Sequence, residues 1–254
     1  MGRSRECGLL IVGAPAAPRV LGGSEATAHV LARRWGLSPA QSEAAGTALV
    51  FLRRQLSDEG REERPRRRFL RRLRPWSGSP TDDRLFLLWA VTGAGKTEMM
   101  FPLLDAVLSA GGKVAVATPR RDVVLELAPR LAAAFPDASR AVLYGGSEDR
   151  FQPGDLTLTT THQLIRFQSA FDLVVIDEVD AFPYHNDETL HYAAAQARAA
   201  GGATVLLSAT PPADMQRRAR RGLLAHARVA VRPHRHPLPV PRRLPIQPLA
   251  RWVE

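Results

Sequence analysis

The chain has 254 residues, 45% of them apolar, which is enough for a substantial core. Its 35 basic and 25 acidic residues leave a formal charge of +10, a balance that favours polyanionic partners through counterion release and makes nucleic acid the leading class. The single cysteine, Cys7, excludes an intramolecular disulfide framework and a multi-cysteine zinc site, and it fits a reducing cytoplasm.

The chain opens MGRSRECGLLIVGAPAAP, with an apolar run of about six residues, below the roughly 7–15 of a signal-peptide core. It reads as a short strand or an ill-defined start. No stretch approaches the length of a membrane span, so the expectation is a soluble, cytoplasmic protein. Helices are expected over Ser24–Trp35 and Pro39–Leu56, the second capped by Ser38 before Pro39; together they make residues 1–56 an N-terminal helical segment.

Residues 57–83 are polar and arginine-rich. Within them, Arg61–Arg74 holds eight arginines against Glu62 and Glu63. Only Lys96 and Lys113 are lysines, so arginine usage itself follows a GC-rich genome and overstates the functional message. The segment reads as a flexible insertion that adds nonspecific affinity for a nucleic-acid backbone, or as a disordered insertion with no role.

Residues 84–231 alternate short apolar runs with helical patterns. The runs are LFLLWAV, KVAVAT, AVLY, LTLTT, FDLVVID, TVLLSA and ARVAV; helices are expected over Thr97–Ala110, Asp122–Phe135 and Asp187–Ala200. Runs apolar on both faces suit buried parallel strands, so the fold class is α/β, a mainly parallel sheet with helices on both faces. From Arg232 the tail RPHRHPLPVPRRLPIQPLARWVE is proline-rich and reads as an extended linker over residues 232–254.

Three strand tips carry chemistry. The run ending at Val91 delivers Thr92-Gly93-Ala94-Gly95-Lys96-Thr97 into a helix. Glycines let backbone N–H groups turn toward phosphate, Lys96 suits the β- and γ-phosphates of ATP, and the Thr97 hydroxyl suits Mg²⁺. The run FDLVVID ends in Asp177-Glu178-Val179-Asp180, 81 residues after Lys96. Here Asp177 suits the metal and Glu178 the general base for an attacking water. The third run ends in Ser208-Ala209-Thr210, small hydroxyls beside the γ-phosphate edge; alone this is an ordinary strand-to-loop turn.

Two further turns, Thr118-Pro119-Arg120 and Thr160-Thr161-His162, offer hydroxyls, backbone amides and a guanidinium suited to phosphate contact without base readout. His162 suits sensing of nucleotide or DNA, and equally a local helix-start bond. Gln41, in WGLSPAQSEAA, presents a donor and an acceptor that match N6 and N7 of adenine, although in isolation it reads as a plain helix residue.

In combination, WGLSPAQ, WAVTGAGKTEMMFP, VAVATPRRDVVLELAPRL, LTTTHQLIRF, FDLVVIDEVDAFPY and LSATPP resemble the ComFA family, the DEAD-like superfamily 2 helicases of late competence, with PriA a more distant relative. The likeness spans roughly residues 35–241. Ala90 stands where the phosphate-loop pattern usually begins with glycine, a form frequent in helicases. The resemblance implies a RecA-like P-loop domain over residues 84–231 that uses ATP and Mg²⁺ to move along single-stranded DNA in bacterial transformation. It also implies other competence proteins near the inner face of the membrane as partners, with Ser208, Ala209 and Thr210 coupling the nucleotide to DNA.

Two departures qualify it. The family's four-cysteine zinc site has no residues here. Nothing after Thr210 resembles the second RecA-like domain that supplies an arginine finger, so the chain reads as the first half of a motor, with weak or no turnover by itself. The competing readings are a non-motor module that binds nucleic acid or competence partners by charge, and a P-loop kinase or GTPase. The last lacks both an acceptor motif and an N-K-x-D signature.

Overall fold

The computed structural model describes residues 11–12, 34–57, 83–147 and 154–233. The helix expected from Ser24, up to residue 33, the arginine-rich segment over 58–82 and the tail from 234 lie outside them.

Seven of the strands form one wholly parallel sheet. In chain order they are β2 (Leu85–Ala90), β3 (Val114–Thr118), β4 (Arg140–Leu143), β5 (Leu156–Thr160), β7 (Phe171–Ile176), β8 (Arg198–Ser208) and β9 (Ala225–Val229), arranged β4-β5-β3-β7-β8-β2-β9. A separate parallel pair joins β1 (Ile11–Val12) to β6 (Phe167–Gln168), the short strand expected at the start of the chain.

The two-sided apolarity of the runs is used as parallel strands require. Phe86, Leu88, Val114, Val116, Leu173, Val175, Val205 and Leu207 face a core shared with α1 (Pro39–Leu56), α2 (Lys96–Ser109) and α3 (Arg121–Ala134). The alternate residues Leu85, Leu87, Ala115, Ala117, Val174, Ile176 and Leu206 face a second core under α4 (Glu188–Ala197) and α5 (Ala213–Arg220). Helices therefore cover both faces.

Helix α1 starts where the sequence places it. Ser38 and Gln41 form a reciprocal capping box ahead of Pro39, which occupies the first turn, where its missing N–H costs nothing. The helix expected over Asp187–Ala200 is shorter. Asp187 caps it by accepting from the Thr189 and Leu190 N–H groups, but it ends at Ala197 and β8 begins at Arg198. The alanine-rich sequence favours helix locally; pairing with β7, where Arg198 lies opposite Phe171, overrides it. At Gly202 a Cβ would lie 2.7 Å from the Asp172 carbonyl oxygen, so only glycine lets the two strands approach. Helix α5 and the full extent of the 3₁₀ turn over Thr161–Arg166 are additions by the structure.

Because all seven strands run the same way, their carboxyl ends lie along one edge. That edge is where open α/β sheets bind ligands, at the point where strand order reverses. Here β2 leads to β3 across β8 and β7, so the loops after β2, β7 and β8 come together.

Candidate nucleotide-binding site

The loop after β2 is shaped by glycine. Gly93 and Gly95 have φ of +76° and +74°, in the left-handed region that a side chain disfavours, and Gly95 is the residue that enters α2. The Ala94 N–H closes a turn on the Val91 carbonyl at 3.0 Å. Thr92 and Gly93 are exposed, Lys96 and Thr97 half-buried, and Ala94 fully buried. Free N–H groups at a helix start, with a lysine and a threonine hydroxyl, make a cradle for phosphate.

Two side chains from elsewhere hold this loop. Gln41 of α1, 4% exposed, donates from Nε2 to the Ala94 carbonyl at 2.8 Å, while its Oε1 accepts the Ser38 N–H at 2.8 Å. Both ends of the amide are thus engaged within the protein, and a side chain at Gly95 would collide with it. From beyond β9, Arg232 donates from Nε to the Thr92 carbonyl at 3.1 Å.

The loop after β7 places two carboxylates in contrasting settings. Asp177 is 7% exposed; its N–H donates to the Ala117 carbonyl at 2.8 Å, and its Oδ1 accepts the Glu178 N–H at 2.9 Å. Burial pushes its carboxyl up to about 6, with Lys96 acting in the opposite direction. Glu178 has φ of +54°, a strained backbone for a residue with a side chain.

Asp180 accepts from the Ser208 and Thr210 hydroxyls, each at 2.5 Å. Burial would raise its pKa, but these hydrogen bonds outweigh burial and hold it below the ordinary carboxylate value. The Thr210 N–H also donates to Ser208 Oγ at 3.0 Å, so Ser208, Thr210 and Asp180 form one network across the tips of β7 and β8.

From sequence alone Asp180 carries no role of its own; the signal for it is its place three residues past Asp177. Sequence reasoning gives Trp89 no role. Its indole N–H donates to the Ala209 carbonyl at 3.2 Å, and the Arg228 guanidinium lies 4.7 Å from the ring centre, tying β2 and β9 to the Ser208–Thr210 turn.

The two turns expected to grip nucleic acid also reach this edge, at the ends of β3 and β5. Thr118, Pro119, Thr160 and Thr161 are buried, and the hydroxyls of Thr118 and Thr161 have no hydrogen-bond partner among the described residues. Arg120 and His162 are exposed. Arg120 is forked onto Asp122, a hydrogen-bonded pairing that raises the guanidinium pKa and lowers that of the carboxyl.

A protein-family model, described as DEAD/DEAH box helicase, matches residues 80–218, more than half the chain. The chain belongs to the DEAD/DEAH box helicase family. It is 54% identical over 156 residues to competence protein ComFA of Bacillus subtilis, which covers 61% of this chain and 34% of that protein. It is 40% identical over 168 residues to ComFA of Streptococcus pneumoniae, covering 66% and 38%. The chain thus spans about a third of the length of these curated relatives. Among solved structures, a hypothetical ATP-dependent RNA helicase from Sulfolobus tokodaii aligns with a TM-score of 0.47 and 24% identity, over 58% of this chain and 48% of that one.

Family membership makes this a nucleotide-binding, helicase-like motor domain, for which ATP is the expected nucleotide. The site fits such a ligand on its own evidence. Asp177 is a buried carboxylate made weak by desolvation, and a nearby divalent cation would restore its charge. Among the described residues no three His, Cys, Asp or Glu side chains gather to hold a metal. Magnesium at Thr97 and Asp177 would therefore lean on phosphate oxygens and water, as this ion commonly does. Among the described residues, no helix is long and apolar enough to cross a membrane.

Proposed function

We propose that the chain is the ATP-binding half of a superfamily 2 motor acting on single-stranded DNA during DNA uptake, completed by a second RecA-like domain or subunit. In this reading residues 84–231 are the motor domain, residues 1–56 bring the adenine-contacting Gln41, and residues 232–254 are the linker that leaves it. Lys96 holds the β- and γ-phosphates, Thr97 and Asp177 hold Mg²⁺, and Glu178 takes the proton of the attacking water. When bound, ATP–Mg²⁺ supplies the phosphoanhydride bond and the cation that polarises it. To read adenine, Gln41 would exchange its bonds to Ala94 and Ser38 for the purine edge.

The observation that carries the reading is the bridge from Asp180 to Ser208 and Thr210. It joins the tip that would hold metal to the neighbouring tip, so a change at the nucleotide can be felt at the sheet edge where Arg120 and His162 stand exposed. Similarity to two competence proteins supports DNA uptake as the setting, with other competence proteins at the inner face of the membrane as partners.

The test is steady-state ATP hydrolysis with and without single-stranded DNA, beside ATP binding by the wild type and Lys96→Ala. The expected result is Lys96-dependent binding with very weak turnover, since a finger supplied by another domain is worth about 10³–10⁵ in rate. ATP-independent DNA affinity unchanged in Lys96→Ala would favour a non-motor charge-binding module. Failure to bind ATP at all would remove the nucleotide-site reading.

A further inference from the structure

Arg232 stands where the sequence reads as the start of a linker, yet it touches the phosphate loop. Its position is set from below: the Val91 N–H donates to the Val229 carbonyl at 3.0 Å, extending the β2–β9 ladder to the base of the loop. Three residues later the Arg232 guanidinium reaches back, with Nε 3.1 Å from the Thr92 carbonyl oxygen. It lies against Gly93, which has no side chain to block its approach. A Cβ at Gly93 would be 3.2 Å from Nε and 3.5 Å from Cζ of Arg232.

The bond uses Nε alone. A guanidinium has four further N–H donors in a planar fork that matches phosphate oxygens, and here those donors form no hydrogen bond with the described residues. Charge-assisted bonds to a phosphate are stronger than one to a neutral carbonyl, so an incoming triphosphate would compete well for this group.

We propose that Arg232 is a nucleotide-contacting residue: in the free protein it braces the loop through Thr92, and on binding it moves its fork to the nucleotide phosphates. The inference rests on the nucleotide-site reading above and extends it, because Arg232 lies on the chain leaving β9. Occupancy of the loop then alters the backbone at residues 231–233, where this domain hands over to whatever follows.

The test titrates a fluorescent ATP analogue with Mg²⁺ into the full chain as wild type, Lys96→Ala, Arg232→Ala and Arg232→Lys, with circular dichroism to check folding. Arg232 is only half-buried, so its variants are expected to fold. Arg232→Ala should weaken binding about tenfold, the low end for hydrogen bonds to charged groups, and Arg232→Lys should recover part of the loss without the fork.

A second readout uses a fluorophore on Val231→Cys, an exposed position, with Cys7→Ser. Nucleotide should shift its emission, and Arg232→Gln should abolish the shift even at saturating nucleotide. Unchanged affinity in Arg232→Ala, while Lys96→Ala loses binding, would overturn the role of Arg232 and leave the site reading intact. An emission shift that persists in saturated Arg232→Gln would overturn the relay. Binding unaffected by Lys96→Ala would remove the site reading itself, and this inference with it.

Discussion

After β2 the chain turns through Gly93 and Gly95 and is held from outside, by Gln41 of α1 at Ala94 and by Arg232 at Thr92. After β7 the chain turns through Glu178 in a left-handed conformation and is held from beside, by hydroxyls at the end of the adjacent strand. The two tips share one sheet edge, with β8 between their strands. The first is an open backbone cradle whose braces come from distant parts of the chain. The second is a set of carboxylates tuned by immediate neighbours. A phosphate cradle needs accessible N–H groups, so its support must come from behind; a carboxylate pair with opposed pKa shifts needs one member dry and the other hydrogen-bonded.

The comparison breaks most readily at the cradle. Lys96→Ala should weaken binding of a fluorescent ATP analogue by about 100-fold, the upper end for losing a charge-assisted phosphate contact. A loss under threefold would mean the loop does not hold phosphate.

At the acidic tip, Asp177→Asn tests whether burial sets the carboxyl's pKa. A carboxyl raised to about 6 in the fold and near 4 when unfolded favours the protonated folded state between those values, so its contribution is full below about pH 4 and lost as pH rises through about 6. Asn keeps the acceptor for the Glu178 N–H and carries no charge. Metal-free Asp177→Asn should therefore be more stable than wild type by about 1–3 kcal/mol at pH 7.5, with little difference at pH 4, as read by urea unfolding.

Smaller effects sharpen the contrast between the braces. Ser208→Ala should cost about 1 kcal/mol in the same assay, because Asp180 loses one of its two hydroxyl donors in a half-buried setting. Gln41→Ala should cost about 1 kcal/mol, by leaving the Ala94 carbonyl and the Ser38 N–H without their side-chain partner. If Gln41→Ala leaves stability untouched but still weakens ATP binding, Gln41 serves adenine rather than the loop.

Much of this was legible in residue order. Strand apolarity, the glycine turn into Lys96-Thr97 and the carboxylates after FDLVVID are local features, and local chemistry fixes where a buried strand stops and a polar turn starts. The cap at Ser38 before Pro39 is legible for the same reason, since it lies within a single helical turn; that Gln41 closes a capping box with it comes from the structure.

What the tertiary structure alone decided involves partners far apart in sequence. Gln41 is 53 residues from Ala94, and Arg232 is 140 from Thr92, separations at which no spacing rule pairs side chain with loop. The burial of Thr118 and Thr161, which turns their hydroxyls from exposed candidates into enclosed ones, follows from where β3 and β5 sit in the sheet. The early end of α4 is of the same kind. Helix propensity is a sum over neighbours in the chain, whereas β8 gains its hydrogen bonds and contacts from β7, and that pairing prevails wherever the two disagree.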